Sequence, residues 1–254
     1  MFKQRVVFVH GAGSFGAAAW PKQHGMALGY DSLFLRRHGF DAVAEPLPSD
    51  FSADAAIVLA ALADDGRGEA GGHIVAHSQG AIAAMMAAVE RPELVQSLTL
   101  VEPACLSLTA ELPATAAHRV LMQPLFDVRL HLSDDDFQRE FIRRAFAVSD
   151  PVSDPAHVPG AAASTPPDQR EARRLRLQAP PWEAPLQIVP GVPTLILTGG
   201  WEPLYEEIAG YLRETGALHR TAPGGHRPQD SAEGDGIIRS FIADVSRSQH
   251  ARAS

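Results

Sequence analysis

Residues 71–89 read GGHIVAHSQGAIAAMMAAV. The opening residues, through Ile74-Val75-Ala76, form a short apolar run with β-branched members, long enough for a buried strand. Residues 81–89 are rich in alanine and contain neither glycine nor proline, the pattern of a helix packed on all sides. Only His77-Ser78-Gln79-Gly80 separates the two. A strand that enters a helix through so tight a turn lifts the serine hydroxyl above the sheet and points the helix N-terminus at it. The helix dipole and its free N–H groups then stabilise negative charge beside that oxygen. The flanking positions must be small because the turn forces close backbone approach. Gly80 meets that need, and Ala76 adds one methyl where glycine is usual. A plain N-cap serine would explain Ser78 alone; the strand, turn and helix together make it a candidate nucleophile.

Outward from this unit, apolar runs recur at residues 5–9, 97–101 and 194–198, each closed by glycine, proline or a charged residue. A second strand is predicted at residues 40–45, stopped by Pro46 and Pro48, and a short edge strand at 218–221. Helices are predicted at 30–37, 52–65 with Ser52 as N-cap, 204–213 and 237–245, with a frayed polar tail from Ser246. Short apolar strands alternating with helices predict an α/β fold, a mainly parallel sheet covered on both faces.

The rhythm breaks between Pro103 and Pro193. Helices are predicted at 111–126, at 134–148 behind Ser133 as cap, and at 170–177, while residues 150–167 are crowded with proline and small residues and predict an irregular, mobile stretch. The economical division is a core of residues 1–103 and 191–254 with a helical cap at 104–190, since long insertions in compact domains tend to be functional lids. Phe126, Phe137, Phe141, Phe146 and Trp182 are candidate pocket walls within it.

A serine hydroxyl needs a base in reach, an acid to orient that base, and donors for an oxyanion. Pro223-Gly224-Gly225-His226-Arg227-Pro228 places His226 in a glycine-bearing loop after the last strand, which makes it the candidate base. Two carboxylates compete for the acid. Glu202 lies just past a strand end in Thr198-Gly199-Gly200-Trp201-Glu202-Pro203 and is preferred, because Ser78, Glu202, His226 is the usual chain order of such a site. Glu102, in Leu100-Val101-Glu102-Pro103, is the rival. For the oxyanion, Gln79 supplies the N–H after the nucleophile, and Ala12, in the loop His10-Gly11-Ala12-Gly13-Ser14-Phe15-Gly16, supplies the second.

That loop also matches G-x-G-x-x-G after a strand, a dinucleotide fingerprint, with Glu45 as its ribose-binding acid. Trp20-Pro21 interrupts the helix this motif requires, and Ser78 and His226 would be left without roles.

The bulk numbers narrow the class. The chain has 254 residues, 45% hydrophobic and 20% charged, an ordinary globular composition. A net charge of −8 argues against nucleic acid or an anionic membrane as partner. The single cysteine, Cys105, forms no internal disulfide and lacks metal-ligand spacing. No run is apolar enough to span a bilayer, and Met1-Phe2-Lys3-Gln4-Arg5 leads straight into a strand, so a cytoplasmic protein is expected.

Taken together, the motifs resemble the α/β-hydrolase superfamily. His10-Gly11-Ala12-Gly13 with Trp20 is similar to the oxyanion loop of small esterase-like members, Ala76-His77-Ser78-Gln79-Gly80 to their nucleophile elbow, and Gly224-Gly225-His226 to their histidine loop. The resemblance covers most of the chain apart from the insertion, and implies a fold without its first two strands. An aspartate is usual where Glu202 stands, while some members carry the acid where Glu102 stands. The resemblance implies a cofactor-free enzyme with a lid over its pocket and a small-molecule substrate. The expectation is a serine hydrolase of small esters, lactones or thioesters. Its superfamily also holds lyases, cofactor-free oxygenases and ligand receptors. An exposed cap face is a candidate homodimer contact. A serine at the elbow, rather than a carboxylate, argues against epoxide-hydrolase or dehalogenase chemistry.

Overall fold

A computed structural model of the chain describes residues 3–63, 70–146, 169–189 and 191–253. Six short strands pair into one sheet: β1 (Arg5–Val9), β2 (Asp31–Phe34), β3 (Gly72–His77), β4 (Val95–Val101), β5 (Thr194–Thr198) and β6 (Leu218–Thr221). Their order is β2-β1-β3-β4-β5-β6, and every neighbouring pair is parallel. Successive side chains of a strand point to opposite faces. Val7 and Val9 accordingly join one core cluster with Ile74, Leu98 and Leu100, whereas Val6 and Phe8 join another with Trp20 and Val75. Both faces of β1, β3, β4 and β5 are buried, so these strands are largely apolar runs, whereas β2 is half-buried and the edge strand β6 is mostly exposed.

Helices α1 (Phe51–Leu62), α2 (Gly80–Glu90) and α6 (Pro203–Glu214) supply Leu62, Ala84 and Ile208 to the first cluster. Helix α7 (Ala232–Ala253) supplies Ile238 and Ile242 to the second. Eight of the eleven residues of α2 are buried, and its alanines let it lie close to the sheet. Gly80 is required by that closeness, because a Cβ there would fall 2.5 Å from the carbonyl oxygens of both Val9 and His10. Between β4 and β5 the described residues form no strand but three further helices, α3 (Pro113–Val128), α4 (Asp134–Phe146) and α5 (Gln169–Arg176). The Ser133 hydroxyl accepts from Asp136 N–H at 3.1 Å, as expected of a cap for α4. Residues 150–167, and the predicted helix ends at 65 and 148, lie outside the described residues.

The structure corrects four readings. The helix predicted at 30–37 is strand β2. It hydrogen-bonds along β1 from Asp31 to Phe34, and Phe34 stacks on Phe8 with ring centroids 4.7 Å apart. A run this short fits either period, and the open edge of β1 decides it. The strand predicted at 40–45 is absent: the Asp41 carboxylate accepts from Val43 and Ala44 N–H at 2.7 and 2.8 Å and folds the chain into a turn. Helix α1 begins at Asp50, whose carboxylate accepts from Ser52 and Ala53 N–H, so Ser52 is not its cap. The tail after Ser246 is helical to Ala253, because the Ser246 hydroxyl meets His73 Nε2 and Gln4, and Gln249 donates to Gln96 O. Cys105 is buried with its sulfur 3.4 Å from that of Met85, and burial pushes its thiol up to about 12. No helix among the described residues is long and apolar enough to cross a membrane.

Candidate active site

The turn between β3 and α2 holds Ser78 at φ 53°, a left-handed backbone rarely adopted by L side chains. Three backbone bonds fix it. Ser78 N–H donates to Val101 O at 2.9 Å, and Ser78 O accepts from Ala81 N at 3.0 Å and Ala104 N at 3.1 Å. The serine thus sits at the carboxyl ends of β3 and β4, on the wall of a cavity of about 420 Å³.

His226 reaches the same cavity from the loop between β6 and α7. Gly225 packs so tightly on Gly199 that a Cβ on Gly199 would lie 2.0 Å from Gly225 O. His77 Nε2 donates to His226 O at 2.8 Å. Burial, then the neighbouring His226 and Arg227, hold the His77 pKa well below its usual 6.5, so this ring is a neutral donor. The residue before the candidate nucleophile therefore anchors the loop of the candidate base. Sequence reasoning gave His77 no part, although its place inside the elbow was the available clue.

The two carboxylates separate cleanly. Glu102 is fully buried at the end of β4, also in the left-handed region at φ 45°. Its Oε1 accepts from Gly199 N at 2.6 Å, and its Oε2 accepts from Trp201 Nε1 at 2.8 Å. The same Oε2 stands 3.4 Å from His226 Nδ1, the long end of hydrogen bonding and a kind of contact that tightens when substrate binds. Glu202 instead opens α6 and lines the cavity beside His118 and Tyr205. Burial lowers the His118 pKa, and the Glu202 charge partly opposes that shift. The preferred Glu202 is therefore not the carboxylate placed against His226 Nδ1 here; its rival Glu102, at the end of β4, is.

Ala12 and Gln79 both line the cavity. Among the described residues no carbonyl accepts from the N–H of either. Of the candidate walls, Phe126, Phe141, Phe146 and Trp182 form part of the cavity lining, although packing alone is the commoner role for apolar residues at helical spacing. Phe137 does not: it is fully buried behind Phe126, packing edge-on at 5.7 Å. The dinucleotide reading fails on geometry. The loop from Gly11 leads into a single tight turn at Gly16–Ala19 instead of a helix whose N-terminus would hold a pyrophosphate, and Glu45 is exposed with Arg170 and Arg173 beside it. Among the described residues no three His, Cys, Asp or Glu side chains cluster to hold a metal.

A model of the alpha/beta hydrolase family matches residues 6–239, and the chain belongs to that family. No curated protein matches the sequence. Among solved structures, MenH from S. aureus is similar over 97% of this chain and 96% of its own, with 17% identity and a TM-score of 0.67. A thermophilic esterase from Thermogutta terrifontis is similar over 96% and 91%, with 19% identity and a TM-score of 0.63. An epoxide hydrolase from Bacillus megaterium is similar over 94% and 93%, with 14% identity and a TM-score of 0.63. At these identities the likeness concerns the fold, which carries several chemistries.

Proposed function

We propose that the protein is a serine hydrolase of small, largely apolar esters, lactones or thioesters. Ser78 attacks the carbonyl carbon while His226 takes its proton. Glu102 holds the imidazole by Nδ1 and stabilises its positive charge, and the N–H groups of Ala12 and Gln79 receive the oxyanion. The tetrahedral intermediate collapses as His226 returns the proton to the leaving oxygen or sulfur. Water, deprotonated by His226, then attacks the acyl-enzyme, and His226 passes that proton to the departing Ser78 Oγ as the acid is released. Helices α3 to α5 act as the cap, and the aromatic side chains they bring to the cavity favour an uncharged acyl or alkoxy group.

One observation carries this reading: a serine held in a left-handed turn shares a cavity with a histidine that is backed by a buried carboxylate. The test is a fluorophosphonate probe with the adduct located by peptide mass spectrometry. Stoichiometric labelling at Ser78, abolished in Ser78→Ala, is the expected result. An unlabelled but folded wild-type protein that binds small ligands without turnover would replace the hydrolase reading with a ligand receptor.

A further inference from the structure

Behind the oxyanion loop lies a buried ion pair that the reaction itself does not use. The Arg37 and Asp54 side chains are each 2% exposed and meet at 2.8 Å. Such a pair is a poor source of stability, since removing two charges from water offsets most of their attraction. The rest of the guanidinium has a more specific task. Its Nη1 donates to Gly11 O at 3.3 Å, and its Nη2 donates to Gln178 Oε1 at 3.3 Å. His10 joins from the other side. Its Nε2 accepts from Arg37 N–H at 3.1 Å, so the ring proton sits on Nδ1, which donates to Gly11 O at 2.8 Å. Burial, then the Arg37 charge, lowers the His10 pKa to about 3 and keeps the ring in that neutral form.

Two donors therefore clamp one carbonyl. The Gly11–Ala12 peptide is trans, like every peptide among the described residues, and in a trans peptide the C=O and N–H point in opposite directions. We propose that Arg37, held by Asp54 and working with His10, is a positioning residue that fixes this peptide so that Ala12 N–H faces the oxyanion. The role rests on the reading of Ala12 as an oxyanion donor. A peptide free to rotate would at times turn its carbonyl toward the developing negative charge. Because Gln178 Nε2 also donates to Arg174 O in α5, the same guanidinium ties the seating of the cap helices to the geometry of the oxyanion loop.

The test uses two variants of the full chain. Arg37→Lys keeps a positive charge for Asp54 but lacks the fork that spans Asp54, Gly11 and Gln178. Arg37→Gln combined with Asp54→Asn removes both charges, so neither is left buried alone. Folding is checked by thermal melting. Turnover is followed with p-nitrophenyl butyrate, and binding with a propyl trifluoromethyl ketone, whose serine adduct places an oxyanion in the site, and with its alcohol, which does not. Loss of a whole donor costs roughly 100- to 1000-fold in kcat, so misaiming one should cost about 10- to 100-fold, with KM within about threefold. Ketone affinity should fall by the same factor while alcohol affinity holds. Folded variants with unchanged kcat and ketone affinity would overturn the proposal, as would alcohol affinity and KM worsening in step with kcat. A wild-type protein that fails to label at Ser78 would instead remove the hydrolase reading beneath it.

Discussion

Replacing Glu102 by glutamine keeps shape and volume but removes one charge and one acceptor. The three groups that hydrogen-bond to the carboxylate in this structure are all donors: Gly199 N–H at Oε1, and Trp201 Nε1–H and His226 Nδ1–H at Oε2. An amide offers one oxygen and one NH2. With its oxygen toward Trp201 and His226, the NH2 meets Gly199 N–H head-on. With its oxygen toward Gly199, the NH2 faces His226 and drives that ring to the tautomer protonated on Nε2, which cannot accept the serine proton. Either way the negative charge 3.4 Å from the imidazolium formed in the transition state is lost. At that separation and an effective dielectric constant of about 20, the lost attraction is about 5 kcal/mol, or between three and four decades in rate. Loss of the carboxylate charge in a serine–histidine–acid site is known to cost about 10⁴-fold in kcat, which agrees. The assay is steady-state turnover of p-nitrophenyl butyrate by Glu102→Gln and, in parallel, Glu202→Gln, with thermal melts to establish folding. The first should lose about three to four decades in kcat, whereas the second should stay within about tenfold. The opposite ranking, with Glu102→Gln near wild type, would refute the assignment of the acid.

Two further outcomes follow from packing and burial. Gly80→Ala drives a methyl to within 2.5 Å of the Val9 and His10 carbonyl oxygens, so the elbow must shift; a stability loss of about 2–3 kcal/mol in a urea melt is expected, and an unchanged midpoint would contradict the packing argument. His10 and His73 are held neutral by burial, with pKa values lowered from 6.5 to about 3 and about 4. Below about pH 6.5 each of these two rings takes a proton in the unfolded chain that it refuses in the folded one, and His77 and His118, whose pKa values burial also lowers, act in the same direction, so stability falls as pH falls through that window, with His10 and His73 alone contributing about 5 kcal/mol between pH 6.5 and 4.5. Urea melts that are flat or more stable on acidification over this range would sink the prediction.

Some of this molecule is written in local sequence. The apolar runs of β1 and β5 are found at the residues the sequence predicts, because each is a short buried strand bounded by glycine, proline or charge. Ser78 is legible for the same reason: the β3 strand, the two-residue turn and the alanine-rich α2 are adjacent in the chain, and their pattern admits few other shapes. His226 could be singled out by its glycine-flanked place after the last strand. What sequence leaves open are choices between local alternatives that distant residues settle. Residues 31–34 carry a pattern that suits helix or strand, and the unpaired edge of β1 makes them strand. Glu102 and Glu202 each follow a strand end, and only the contact of Gly199 with Gly225 shows which carboxylate lies against His226. Arg37, Asp54 and His10 belong to three separate segments, and nothing in any one of them announces that Arg37, held by Asp54, grips the Gly11 carbonyl together with His10. Local propensity determines the strands and helices whose pattern is unambiguous, and tertiary pairing decides the rest. The pairing of charges and hydrogen bonds across segments depends on three-dimensional packing, because a buried polar group must find its partner wherever the fold places one.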